Sequence, residues 1–433
     1  MTAWKNLDLP VCAGALVGFI ALSLGSLSFG ASCKQSVSDT VSDTVSDTAA
    51  SPDSDPTAVD KAEPTKASAS KPATVKREGQ LMSDSELGAL INTLSEPIGI
   101  IHNDDFVSNE TSYLHVASAF SDEAMRGKAY VGVGLEQNYS YMAIMQPSIS
   151  YIVDVRRQTM LQHLALRAAA EDAKDRVAFL ERWTARCSGC SGVSKSEEAS
   201  IDGIANALAK INASADVVEG EVKRVLALMG RLGVSNHSSD EGTLRRVFGA
   251  FAKGGLDTAH VLHGSVAEHT TLRKLLAAED DDGTERSFLS DEASFLRVRS
   301  LLQANRVVPV VGNLAGQRTL RGVAADMGKR GLVLGVLYTS TAEQYLFEAG
   351  HNDLFMGNVA SFPIDESSRI VCVWFDQGRR HPKQREGHRT ASLVIPMDAF
   401  LARHADRPFA TYWHATTFEP LRSSSEDSTE KTD

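Results

Sequence analysis

Residues 130–158 read YVGVGLEQNYSYMAIMQPSISYIVDVRRQ. An apolar run ends in Gly132-Val133-Gly134, a mixed stretch follows, and a second apolar run ends at Asp154. β-Branched and aromatic residues in short blocks favour strands, and glycines between blocks favour a turn. The pattern therefore predicts strand 129–134, helix 135–146 and strand 149–155, a βαβ unit. Two glycines remove the side chains that would keep a ligand from the backbone, and the following helix aims its unpaired N–H groups at the same point. Asp154 comes 20 residues after Gly134, the separation at which dinucleotide-binding folds place an acid for ribose hydroxyls. Gln137 stands where a third glycine would let helix and strand pack closely. Two readings fit: a nucleotide-type site, or a glycine turn that only packs a βα unit.

Outward from this unit the same alternation continues. RVVPVVG (306–312), GLVLGVLYT (331–339), SRIVCVWF (368–375) and SLVIP (392–396) are further strand candidates. Helical patterns occupy 157–184, 199–232 and 287–304, and a Ser83-x-x-Glu86 capping box opens a helix over 83–94. A short helix starts near Thr111. Strands alternating with helices predict an α/β fold, a doubly wound and mainly parallel Rossmann-like sheet spanning 82–420, with a helical insertion over about 160–300.

Several polar residues are candidates for the same site. Glu136, Gln137 and Asn138 open the first helix. Ser108, Asn109, Glu110 and Thr111 precede an earlier one, where they serve either as helix caps or as a segment folded over the turn. Arg156 and Arg157 follow Asp154 and can grip an anion bidentately or pair with acids nearby. Glu343, Gln344 and Tyr345 follow strand 331–339, at the carboxyl edge where open sheets carry ligands.

The blocks FVSNETSYLHV (106–116), YVGVGLEQNYSYMA (130–143), YIVDVRRQ (151–158) and AEQYLF (342–347) resemble those of a family of uncharacterised bacterial proteins. That family is associated with the S-adenosylmethionine-dependent methyltransferase superfamily fold. The resemblance implies a methyltransferase-like sheet with Gly132, Gly134 and Asp154 at the cofactor positions. S-Adenosylmethionine, or a related small molecule, is the cofactor it implies. It carries no reaction with it, and an envelope-anchored binding domain without catalysis fits the residues too.

The chain has five cysteines. Cys187-Ser188-Gly189-Cys190 ends a predicted helix, whereas a thioredoxin-like CxxC opens one after a strand, so a local disulfide is expected. Cys372 lies in an apolar strand. His260, His263 and His269 invite a metal reading, since residues i and i+3 such as His260 and His263 share a helix face, but no HExxH pattern accompanies them, and no metal site is expected. The basic loop GRRHPKQREGHR (378–389) suits an anionic glycan or headgroup, or a solvated hairpin. GVAADMGKR (322–330) is one residue too long for a phosphate loop and has Arg330 where Ser or Thr should hold magnesium. There is no G-x-S-x-G elbow.

At the N-terminus, residues 11–32 carry no charge and as a helix would span roughly 33 Å, a bilayer core. Lys5 gives a modest positive start, weakened by Asp8. The run ends in Ala31-Ser32-Cys33, so 1–33 is read as a lipoprotein signal with Cys33 as the lipidated residue. A cleaved secretory peptide and a retained anchor are the other readings, Gly30 being small for a lipobox and Cys12 lying within the run. Residues 34–81 contain VSDT three times in tandem and few apolar side chains, so a disordered tether reaching roughly 40 Å is expected. The tail 421–433 is again polar. All three readings place the domain outside the cytoplasm in the cell envelope, anchored or secreted. The net charge of −11 disfavours nucleic acid, which wants a basic footprint. A small molecule and the membrane are the expected partners. Nothing in the pattern marks an oligomer.

Overall fold

A computed structural model describes residues 81–99, 105–187, 189–190, 192–260 and 270–418. All belong to the second of two units into which the chain divides, Val75–Asp433. The expected leader and Cys33, the tether up to residue 80, the tail 421–433, His263 and His269 lie outside the described residues.

Six strands make one sheet: β1 (Ala129–Val133), β2 (Ile149–Asp154), β3 (Val307–Val311), β4 (Leu334–Ser340), β5 (Arg369–Phe375) and β6 (Thr390–Pro396). Their order is β3-β2-β1-β4-β5-β6. The first five are mutually parallel, and β6 returns antiparallel to β5. β1, β2 and β3 are buried along their whole length. Alternate residues serve opposite faces: Val131, Tyr151, Val153 and Ile370 enter one apolar cluster, while Tyr130, Ile152, Val336 and Val371 enter the other. A strand covered on both sides reads as a continuous apolar run, which is how these appear in the sequence. Pro309 has no N–H to give a second neighbour, and β3 is accordingly an edge strand, paired only with β2.

Helices flank both faces. In chain order they are α1 (Asp84–Leu94), α2 (Gln137–Met145), α3 (Arg157–Asp172), α4 (Arg176–Trp183), α5 (Lys195–Glu198), α6 (Ile201–Ala209), α7 (Ala215–Leu232) and α8 (Asp240–Gly254). They continue with α9 (Leu272–Leu276), α10 (Glu292–Gln303), α11 (Thr319–Arg330), α12 (Ala342–Glu348), α13 (Asn352–Val359), α14 (Met397–Asp406) and α15 (Tyr412–Thr417). α3 to α10 all lie in the connection from β2 to β3. The side containing Val131 is packed by apolar residues of α1, α3, α7, α8 and α11; the other side by α2, α4, α6, α9 and α10.

Local chemistry shortens several expected helices. The helical pattern over 157–184 is two helices, because Asp175 is extended and its carboxylate accepts the N–H of Ala178 at 2.7 Å, starting a new one. The pattern over 199–232 breaks likewise before Ser214, which is extended. The helix expected from 287 starts at Glu292, capped by Asp291 through the Ser294 N–H at 2.9 Å. Near Thr111 the chain forms a 3₁₀ helix, Tyr113–Phe120. The capping box at Ser83 and Glu86 is present as read. No described helix is long and apolar enough to cross a membrane.

Candidate functional site

Strand order reverses beside β1: β2 and β3 lie on one side of it, β4 to β6 on the other. The segments leaving β1 and β4 therefore diverge to opposite faces and leave a crevice at the carboxyl ends. A cavity of about 690 Å³ occupies it, lined from the ends of β1 to β4 by Val133, Gly134, Asp154, Arg156, Asn313 and Ser340, among others. That volume suits a small organic ligand.

The β1–α2 turn is assembled from within. Gly134 has φ +87°, a conformation that costs a side-chain-bearing residue. Its carbonyl accepts a hydrogen bond from Nε2 of the buried His163 at 2.9 Å. A carbonyl only accepts, so that nitrogen carries the proton and Nδ1 takes the Tyr139 hydroxyl hydrogen at 2.8 Å. Burial holds His163 neutral, its pKa lowered to about 4. Asn138 pins the turn from the other side. Its Nδ2 donates to the carbonyls of Val133 (3.0 Å) and Leu135 (2.8 Å), and its Oδ1 accepts from Tyr130 at 2.7 Å.

These bonds change what two expected site residues do. A Cβ on Gly132 would lie 1.9 Å from Asn138 Oδ1 and 2.7 Å from the Tyr130 hydroxyl. Gly132 thus makes room for the internal network, not for a ligand. Asn138 spends its polar atoms on the same network and does not line the cavity.

Gln137 is placed differently. Its Nε2 donates to the Tyr338 hydroxyl at 3.0 Å, and Tyr338 in turn donates to Glu110. Oε1 is left buried with no hydrogen-bond partner among the described residues, on a side chain that lines the cavity. A buried acceptor without a partner is costly unless something supplies a donor.

Asp154 and Arg156 face the cavity as a pair. Asp154 Oδ1 accepts from the Arg156 backbone N–H (2.9 Å) and Nε (3.1 Å), and Oδ2 accepts from Nη2 (3.1 Å). A carboxylate offers about four lone-pair sites, so one remains, on Oδ2. Burial opposes the Arg156 charge, but Asp154 and Asp105 outweigh it and hold the guanidinium firmly protonated. Arg157 turns away to bind Asp240 at 2.7 Å.

Of the segment before the 3₁₀ helix, Ser108 and Asn109 line the cavity. The Ser108 N–H donates to Glu136 Oε1 at 3.2 Å, fastening this segment to the turn. Burial raises Glu136 to about 7. Glu110 lies deeper and accepts from Ser340 and Tyr338; burial pushes its carboxyl up against those bonds. Thr111 is bonded to His388 Nδ1 at 2.9 Å, outside this cavity. Tyr345 lines the cavity and is exposed, whereas Gln344 accepts the Phe375 N–H at 3.1 Å and Glu343 is fully buried. The cavity thus gathers Gly134, Gln137, Asp154, Arg156, Ser108, Asn109 and Tyr345. Gly132, Glu136, Asn138, Glu110, Thr111, Glu343 and Gln344 support it from behind or lie beyond it.

Sequence reading missed Asp105, His260, Ser340 and Asn313 in the wall, and His163 beneath the turn. Asn313 and Ser340 were within reach, since each ends a recognisable strand. His163 has no local signal, because its role depends on α3 crossing below Gly134. The turn after β3 is closed to anions: Glu96 accepts the N–H groups of Asn313 (3.0 Å), Arg318 (2.7 Å) and Thr319 (3.1 Å). Cys187 and Cys190 form a disulfide, and Cys372 is free and buried. Among the described residues no group of three or more His, Cys, Asp or Glu is arranged to hold a metal ion.

A family described as a domain of unknown function (DUF7790) matches residues 106–427. The chain belongs to that family. The match spans the β1–α2 turn, the segment holding Ser108 and Asn109, and β2 to β6. Among curated proteins none matches.

Proposed function

We propose that this member of the DUF7790 family is a doubly wound, methyltransferase-like Rossmann domain whose cavity binds S-adenosylmethionine or a related nucleoside-bearing small molecule. The observation that carries the reading is Gln137 Oε1, a buried acceptor without a partner beside a left-handed glycine at the crevice. The residues fit such a ligand. Gln137 Oε1 can receive an N–H or O–H, the remaining lone pair of Asp154 Oδ2 can receive one ribose hydroxyl, and the apolar walls suit a purine. Arg156 supplies a cation for a carboxylate. When bound, S-adenosylmethionine supplies a methyl group on a sulfonium. The chain's part is to orient it and keep water out.

The same proposal includes the address read from the sequence: an envelope domain held by the N-terminal segment, with 34–81 as tether. A second reading, a binding domain without catalysis for another small molecule, is favoured by one observation. Arg156 takes three of the acceptor sites of Asp154 and leaves one, too few for both ribose hydroxyls on that carboxylate.

Calorimetry on the full chain with S-adenosylmethionine, S-adenosylhomocysteine and adenosine tests the choice. The expected result is heat with all three, lost in Gly134→Asp. Heat from none of them would end the nucleoside reading. A reporter fused at the C-terminus and mass spectrometry of Cys33 test the address; a reporter active in the cytoplasm would overturn it.

A further inference from the structure

A second cavity of about 730 Å³ adjoins the first, and Asn109 and His260 line both. Beside Ala277, Ala278 and Phe375, its wall includes the polar side chains of Thr111, His115, His388 and Arg389. The basic loop joining β5 to β6, without an assigned role so far, supplies the last two. His260 stands where the two spaces meet. Its Nδ1 lies 3.0 Å from the Val107 carbonyl and 3.4 Å from Asp105 Oδ1. The carbonyl and the carboxylate both accept, so Nδ1 carries the hydrogen and the neutral ring keeps its lone pair on Nε2.

We infer that His260, oriented by Asp105 and the Val107 carbonyl, is the general base of this site. It takes a proton from a hydroxyl or amine of a second, polar substrate seated in the second cavity. This rests on the nucleoside reading of the first cavity, with a sulfonium methyl donor as co-reactant. The substrate's O–H or N–H bond breaks, and the proton goes to Nε2. The substrate's electron pair forms the new bond to the methyl carbon, and the pair of the broken C–S bond stays on sulfur. Hydrogen-bond reach and the correct tautomer are what such a role needs first. His115 and His388 are edge-on at 4.5 Å and belong to the substrate wall. Burial lowers His115 to about 4, which leaves it neutral there.

The test uses the full chain with ¹⁵N-labelled histidine. The neutral His260 ring is expected to show a protonated Nδ1 and a bare Nε2. Diethyl pyrocarbonate, which acylates a bare ring nitrogen, is expected on His260 in peptide mass maps. S-Adenosylhomocysteine at ten times its Kd, measured by calorimetry on the same sample, should slow that modification about tenfold. With a panel of phenols, alcohols and amines, His260→Gln should lower formation of S-adenosylhomocysteine from S-adenosylmethionine about 10²–10⁴-fold, a far larger change than in Kd. A proton on Nε2, a His260 inert to the reagent, no shielding by bound ligand, or equal or absent turnover in both proteins overturns the inference. Absent binding with the expected tautomer and modification overturns the nucleoside reading instead, so the two failures are separable.

Discussion

The turns after β1 and β4 are neighbours and carry the same pair of residues, Glu136-Gln137 in one and Glu343-Gln344 in the other. Both glutamates are fully buried, and burial raises each to about 7. Each turn also contains a left-handed residue, Gly134 at φ +87° and Ser340 at φ +57°. The glutamines separate them. Gln344 gives its oxygen to the backbone of β5, while Gln137 keeps its oxygen unpartnered in the cavity wall. In one turn, the closed one, the glutamine oxygen is taken up by the fold's own backbone; in the other, the open one, it stands in the cavity wall without a partner among the described residues. The lesson is that βα turns of like sequence are told apart by which side chain completes the bonding behind them.

The largest effect should come from the glycine that serves the inside. Gly132→Ala places a methyl 1.9 Å from Asn138 Oδ1. Asn138 cannot move without releasing the Val133 and Leu135 carbonyls and the Tyr130 hydroxyl. Overpacking together with lost buried hydrogen bonds should cost about 3 kcal/mol or more. Denaturant unfolding monitored by circular dichroism measures it. A change below about 1 kcal/mol would mean that Asn138 is not the brace of this turn.

Next is the closed turn's glutamate. Neither Glu343 oxygen has a partner in hydrogen-bond geometry among the described residues, and Cys372, Thr339 and Tyr412 surround it. Thr339 and Tyr412 have already given their hydroxyl hydrogens to the carbonyls of Val371 and Val373, both at 3.0 Å. With one hydrogen each, neither hydroxyl has another to donate to Glu343, which suits a protonated carboxyl. A folded pKa of about 7 against 4.5 means that the native state binds the proton more tightly. Its stabilising share is complete below 4.5 and is lost as pH rises through 7. Glu343→Gln removes that loss and should gain up to about 3 kcal/mol at pH 8, with little change at pH 5. Urea unfolding at both pH values measures it. A variant less stable than the parent at pH 8 would show that the carboxylate is wanted.

His163 separates the two turns again, because only the open one rests on an imidazole. Its folded pKa of about 4 lies below the ordinary 6.5. The unfolded chain therefore binds the proton more readily, and the stabilisation present above 6.5 is lost as pH falls toward 4. At pH 5 the loss should be about 2 kcal/mol, and His163→Gln should remove this limb of the pH–stability curve. Unchanged acid sensitivity in the variant would place the titrating group elsewhere.

Much of the sheet was legible because its strands are apolar on both sides and so appear as unbroken runs. Pro309 even marks the edge. The crevice followed from Gly134, Asp154 and the ends of the strands. What the sequence hid was direction. Gly132 and Gly134 look alike in VGVG, yet a Cβ on one would meet Asn138 while the other lines the cavity, because β1 ends at Val133 and Gly134, at φ +87°, already belongs to the turn. Glu136, Gln137 and Asn138 share a helix start, and only Gln137 reaches the cavity wall. Asp105 and His260 are far apart in sequence and meet only through tertiary packing. No local pattern records that.

The smallest effect tests the serine of the closed turn. A side-chain-bearing residue at φ +57° costs about 1 kcal/mol, which glycine would recover. Against that, Ser340 Oγ donates to the buried Glu110 carboxyl, which also holds the Tyr338 hydroxyl. Losing one of those donors costs about 1–3 kcal/mol, and glycine adds up to about 1 kcal/mol through the freer unfolded chain. Ser340→Gly should therefore be less stable by about 1 kcal/mol, the hydrogen bond outweighing the backbone. Tyr338 keeps Gln137 Nε2 at 3.0 Å, so the open turn should be untouched. Its affinity for S-adenosylhomocysteine should stay within about twofold, a few tenths of a kcal/mol. A stabilised variant would show that the left-handed backbone, not Glu110, governs this turn. A variant that loses ligand with little loss of stability would show instead that Ser340 Oγ acts in the cavity it lines.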